Sequence, residues 1–228
     1  LVAGVVIVVW YMRKKREFLR QRFFQQINRV RMENLRSRIS PHFTFNVLGR
    51  EINQFNGSEE VKHNLMELVK YLRRSLELTE KLSVSLQDEL DFVRTYIELE
   101  RGRVGEDFVA TITVEDGLDA TRIMIPSMIV QVPVENAIKH GLAGKDGKKE
   151  LMVYVSRETN GIRITVTDNG RGYLPQVVSA TRGTGTGLKV LYQTIQLLNT
   201  KNKSDKIRLN ITNRSDGQTG TEVSVYIP

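Results

Sequence analysis

Residues 134–141 read "VENAIKHG". On a helix, Asn136, Lys139 and His140 stand at i, i+3 and i+4 and share one face, with Val134, Ala137 and Ile138 beneath. Alone, that pattern describes a solvated polar face. Two later stretches give it company. "DNGRG" at 168–172 follows a run that alternates like a strand. Gly170 and Gly172 let backbone approach a ligand closely, and the Asp168 carboxylate can accept a hydrogen bond from an exocyclic amine. A tight turn is the plainer reading. "GTGTGL" at 183–188 opens a further helix. Glycine-rich backbone before a helix N-terminus is an anion site, or else a flexible loop. The spacing is not a dinucleotide-binding fingerprint, and the chain has no Walker A sequence.

Working outward, "FVATITV" (108–114), "LMVYVS" (151–156), "IRITVTD" (162–168), "KIRLNIT" (206–212) and "TEVSVYIP" (221–228) read as strands. Asn160-Gly161 suits a hairpin turn. Pro126 fits the first turn of a helix running to Gly141, and residues 187–199 give another helix. Residues 105–228 are therefore expected to form an α+β sandwich, a mixed sheet with helices on one face.

The first half has a different character. The spacing of Leu35, Ile39, His42, Leu48, Ile52 and Phe55 predicts a long helix over 16–55. "NGS" at 56–58 turns the chain, and Ser58 caps a second helix carrying Val61, Leu65, Leu68, Leu72 and Leu76. A lone hairpin cannot bury two apolar stripes, so a homodimeric four-helix bundle is expected. "SLQD" at 85–88 starts a connecting helix to about Arg103.

Charge is concentrated at one end. The net charge is +8, and residues 13–38, with ten Lys or Arg against Glu17 and Glu33, hold all of that excess. A nucleic-acid-binding domain would carry its basic patch on the folded body, so no nucleic-acid partner is expected. "LVAGVVIVVWYM" at 1–12 precedes "RKKR". Twelve apolar residues fall short of the ~20 that span a bilayer. The aromatic pair and following bases suit the cytoplasmic end of a membrane helix, entered partway by a chain that begins at Leu1. There is no cysteine, which excludes disulfides and thiolate chemistry.

Within the first helix, "RISPHFTFN" at 38–46 places Pro41 beside His42. A proline inside a helix costs about 3 kcal/mol and disturbs the turn before it. Two readings are expected here: Pro41 frees the Ser37 carbonyl and disturbs the helix around the imidazole, or it merely bends a bundle helix in which His42 packs.

Taken together, the asparagine helix, D-x-G-x-G, G-x-G-x-G and terminal "GTEVSVYIP" resemble the Bergerat (GHKL-type) ATP-binding fold. "ISPHFTFN", "VPVENAIKHGL", "YLRRSLE", "VSLQDELDFVRTYIELER" and "IPSMIVQ" resemble the LytS/YehU-type sensor histidine kinases, over about residues 16–228. The resemblance implies ATP-dependent phosphorylation of His42, then transfer to an aspartate of a response regulator. It implies that Asn136 binds Mg²⁺, that Lys139 and His140 face phosphates and sugar, and that Asp168 reads the adenine amine. Gly170, Gly172, Gly183, Gly185 and Gly187 would shape the pocket and lid, with Thr221 near adenine. Asn46, one turn after His42, either helps a water remove phosphate from the regulator or satisfies backbone groups loosened by Pro41. Ser40 and Thr44 depart from the family pattern without removing a reacting group.

The expected organisation is a membrane-helix end at 1–12, a basic juxtamembrane, dimerisation and phosphoacceptor region at 13–104, and an ATP-binding domain at 105–228. The expected location is a bacterial inner membrane, with this region in the cytoplasm. Two other readings stay open: a same-fold ATPase or serine kinase that leaves His42 unmodified, and a non-catalytic membrane-tethered dimeric scaffold.

Overall fold

A computed structural model describes residues 58–173, 186–201 and 205–228, together with Lys14 and Ile52. Apart from Ile52, the expected helix over 16–55, with Pro41, His42 and Asn46, lies outside these residues, as do 1–12, Gly183 and Gly185. Among the described residues no helix is long and apolar enough to cross a membrane. All the elements below belong to the unit Glu51–Pro228.

Helix α1 (Glu59–Glu80) starts where Ser58 caps it, the hydroxyl oxygen accepting from Val61 N at 3.2 Å. Leu78 and Val69 are buried, whereas Val61, Leu68 and Leu72 keep 36–45% of their surface. The short strand β1 (Ser83–Ser85) leads into α2 (Leu86–Val104). Ser85 caps α2 as expected: its hydroxyl accepts from Asp88 N at 3.0 Å and donates to the Asp88 carboxylate at 2.8 Å.

Five strands make a mixed sheet in the order β2-β4-β5-β7-β6: β2 (Phe108–Val114), β4 (Lys149–Glu158), β5 (Gly161–Asp168), β7 (Thr221–Ile227) and β6 (Arg208–Asn213). β2 and β4 run parallel, and the other pairs run antiparallel. Alternation puts Phe108, Leu151, Val153, Val155, Ile164, Val166, Val223 and Val225 on the buried face. The β4–β5 turn is Thr159-Asn160, one residue earlier than expected, because Gly161 already pairs with Glu158. A Cβ at Gly161 would lie 2.1 Å from the Ile227 carbonyl oxygen, so glycine is required there by the neighbouring strand.

Two expectations need correction. Pro126 does not start a helix. It ends β3 (Met124–Pro126), which pairs antiparallel with β1. The residue before a proline is biased towards extended backbone, which suits Ile125 to a strand. Helix α3 (Gln131–Asn136) begins five residues later and passes into a π-helical turn, Ala137–Gly141, closed by Leu142 N to the Ala137 carbonyl at 2.8 Å. The second difference concerns α2, expected only to connect two domains. Its face of Leu86, Leu90, Phe92, Val93 and Ile97 shares one hydrophobic core with Ile125, Ile129, Val134, Ile138 and the sheet. Packing is thus continuous across residues 104 and 105. The 3.6-residue period of α2 reveals a buried stripe but not what covers it.

The start of α3 has no cap of its own. Glu89, fully buried on α2, supplies one from a distance: its carboxylate accepts from Met128 N (3.0 Å), Val130 N (3.1 Å) and Gln131 N (3.1 Å). Burial pushes the carboxyl above its ordinary range, and the three N–H groups pull it back. Met128 adopts a left-handed φ of 68° within this cradle. Helix α4 (Thr186–Lys201) completes the helical layer, burying Leu191, Ile195 and Leu197.

Glu89→Gln turns an acceptor oxygen into an N–H₂ facing backbone donors. The expected loss is about 2–3 kcal/mol of stability, read from the urea midpoint. An unchanged midpoint would show that the cradle does not depend on the charge.

Candidate nucleotide-binding site

Asp168 is the last residue of β5 and retains 4% of its surface. Its Oδ1 accepts from Gly170 N at 2.8 Å and from Thr221 N at 3.4 Å. Burial raises the carboxyl above its usual range, against the pull of those donors and of the Arg214 charge. Three glycines crowd it. A Cβ at Gly141 would lie 2.8 Å from Asp168 Oδ1, one at Gly170 would lie 2.2 Å from the Gly141 oxygen, and one at Gly220 would lie 1.9 Å from the Asp168 oxygen. The end of the π turn, the loop after β5 and the start of β7 can therefore meet only without side chains.

The rest of "DNGRG" fixes this meeting point. Asn169 Oδ1 accepts from Glu150 N at 2.8 Å, and its amide donates to the Lys148 carbonyl at 3.0 Å. Arg171 donates from Nε to the His140 carbonyl at 2.9 Å and from its backbone N to Gly141 at 3.3 Å. Gly172 has φ +86°, and its missing Cβ leaves room for Asn213 Oδ1, which accepts from Tyr173 N at 2.6 Å.

Asn136 ends α3 half-buried, while Lys139 and His140 are exposed on the π turn. That turn closes through i to i−5 bonds, so the simple face expected for 136, 139 and 140 is wound wider. Lys139 Nζ pairs with Glu135 at 2.6 Å. Partial burial, then the charges of Lys139 and Arg171, push the His140 imidazole below its ordinary pKa, which favours its neutral form.

The structure therefore brings Asp168, Gly170 and Thr221 into contact, with Gly172 just beyond them. Gly187 lies in α4, where a Cβ would meet Val132 at an ordinary 3.5 Å, so no steric demand for glycine acts there. Sequence reasoning missed Gly141 and Gly220 as close neighbours of Asp168, and Arg171 and Asn213 as braces of this meeting point. Gly220 was within reach, since it precedes Thr221 in the terminal motif. Asn213 carried no signal, because its partner is 40 residues away.

The arrangement offers a buried acceptor for a ligand N–H, with an amide, an ammonium and a neutral imidazole on the neighbouring helix. It belongs to the GHKL class of ATP-binding domains. Residues 121–228 match the family described as histidine kinase-, DNA gyrase B- and HSP90-like ATPase, and residues 30–108 match the family described as histidine kinase. The sensor histidine kinase YpdA of Escherichia coli is 29% identical over 210 residues, covering 90% of this chain and 35% of that protein. The sensor histidine kinase/phosphatase LytS of Staphylococcus aureus is 34% identical over 144 residues, covering 62% of this chain and 24% of that protein. The histidine kinase domain of the Erythrobacter litoralis EL346 blue-light activated kinase gives a TM-score of 0.49 at 17% identity, covering 82% of this chain and 95% of that one. The chain is thus similar to LytS-type sensor histidine kinases along most of its length, and it spans about a third of the length of YpdA.

Asp168→Asn puts a donor where the carboxylate accepts. ATP binding is expected to weaken by about 1.5–3 kcal/mol, roughly ten- to a hundredfold, by titration calorimetry. An unchanged dissociation constant would remove Asp168 from the adenine contact.

Proposed function

We propose that the chain is the kinase part of a two-component sensor, phosphorylating His42 with ATP and passing the phosphoryl group to an aspartate of a response regulator. The observation that carries this reading is the buried Asp168 carboxylate, held by Gly170 and Thr221 and crowded by three glycines. Such a group suits an exocyclic amine at the closed end of a pocket, as adenine presents. The match of residues 30–108 to the histidine kinases supports His42 as acceptor.

In this mechanism Asp168 orients the base, which sets the direction in which the triphosphate leaves the pocket. Lys139 is an exposed cation on the nearby turn, suited to phosphate oxygens, and His140 is a neutral partner for the sugar or phosphate. A neutral nitrogen of His42 attacks the γ-phosphorus. The bond between that phosphorus and the β–γ bridging oxygen breaks, and ADP leaves with the electron pair. Pro41 serves by opening the helix beside the imidazole. Asn136 provides a hard amide oxygen of the kind Mg²⁺ takes alongside waters and phosphates. When bound, the ion neutralises phosphate charge.

Assembly follows from the same reading. The exposed Val61, Leu68 and Leu72 on α1 suit a second copy, giving a homodimeric bundle. Residues 1–12 and the basic run after them suit a bacterial inner membrane, with the kinase in the cytoplasm. For Asn46 two roles stand side by side: assisting a water in dephosphorylation of the regulator, and satisfying backbone groups beside Pro41.

The test is incubation with γ-labelled ATP and Mg²⁺. Wild type should acquire acid-labile, base-stable label. His42→Gln should lose it with ATP affinity unchanged. Equal labelling of the variant, or acid-stable label, would favour the serine-kinase alternative.

A further inference from the structure

The start of α3 is tied not only to α2 but also to α1. Ser127 donates from its hydroxyl to the Leu78 carbonyl at 2.5 Å and from its backbone N to the Leu82 carbonyl at 3.2 Å. Gln131, the first residue of α3, donates from Nε2 to the Tyr71 hydroxyl at 3.3 Å. The Tyr71 ring lies flat on Phe92 of α2, with centroids 4.9 Å apart and planes 1° from parallel, and it stands 5.7 Å from Tyr96.

This junction is more polar than packing requires. Gln131 is fully buried, and its Oε1 has no hydrogen-bond partner among the described residues; the same holds for the Tyr96 hydroxyl. An unpaired buried oxygen is costly, and an apolar side chain of similar length would fill the space without it. Glutamine is therefore poorly explained as core filler. It is well explained as the place where α1 grips α3. The Gln131 backbone is held on α2 through Glu89, its side chain is held on α1 through Tyr71, and Asn136 lies five residues further along the same helix.

We infer that Tyr71 and Gln131 are positioning residues for the phosphate end of the nucleotide site: the hydroxyl of Tyr71 on α1 sets the placement of α3, and so of Asn136. The inference rests on the ATP-binding reading above. It assigns α1, the helix that follows the phosphoacceptor segment in sequence, a direct hold on the nucleotide helix. Adenine recognition is left to Asp168, on β5, which this junction does not touch.

The test uses the whole chain and two ligands, ATP with Mg²⁺ and adenosine alone. Tyr71→Phe keeps the ring stack and removes only the hydroxyl. It should weaken ATP·Mg²⁺ binding about three- to tenfold and leave adenosine binding unchanged. Gln131→Leu removes the unpaired oxygen. It should keep or raise the melting temperature while weakening ATP·Mg²⁺ to a similar degree, and the double variant should be no weaker than the weaker single one. Tyr71→Phe binding ATP·Mg²⁺ as wild type does would overturn the inference. So would equal losses for adenosine and ATP·Mg²⁺, which mark a merely structural role. A wild-type chain that binds neither ligand would overturn the proposed function as well.

Discussion

Everything at the candidate site turns on how closely three backbones approach one carboxylate. Asp168 sits where the π turn after α3, the loop after β5 and the start of β7 converge, and each strand of chain brings a glycine to the contact. A methyl group at Gly170 or Gly220 would overlap a carbonyl oxygen at 2.2 or 1.9 Å. The crowding does two things at once. It excludes water from the carboxylate, raising its pKa, and it leaves the backbone N–H groups of Gly170 and Thr221 aimed at Oδ1. A desolvated acceptor gains more from a ligand donor than an exposed one, which is the physical basis for reading a base here.

A second carboxylate, Glu89, organises the start of α3 as Asp168 organises the meeting of the three glycine-bearing segments. Short helices are marginal by themselves, and α3 is six residues long before its π turn. Its first N–H groups find no local cap, and Glu89 satisfies three backbone donors at its start from α2. Asn136, Lys139 and His140 thus owe their positions to a side chain more than 40 residues earlier in the sequence. The chemistry of the face is local, whereas its placement is not.

That division explains what could be read in advance. The strands were legible because half-buried strands alternate with period two, as in "FVATITV" and "IRITVTD". Ser58 and Ser85 were legible as caps because capping is decided within four residues. Asp168 and Thr221 were singled out through resemblance, and the fold brings them into contact. The start of α3 was not, because Pro126 satisfies the local rule for a helix start equally well, and the deciding partner, Glu89, is remote. Nor was the membership of α2 in the core, since an amphipathic stripe does not name its cover. Gly141 reads as a helix terminator, and only its 2.8 Å clearance from Asp168 Oδ1 reveals the second role.

The central claim is that Asp168 accepts a hydrogen bond from the 6-amino group of adenine. The most direct measurement compares wild-type affinity for ATP with that for its 6-desamino analogue, identical except that hydrogen replaces the amine. The account predicts that the analogue binds at least about tenfold more weakly, as expected when a buried charged acceptor loses its donor. Equal affinity for the two nucleotides would contradict it.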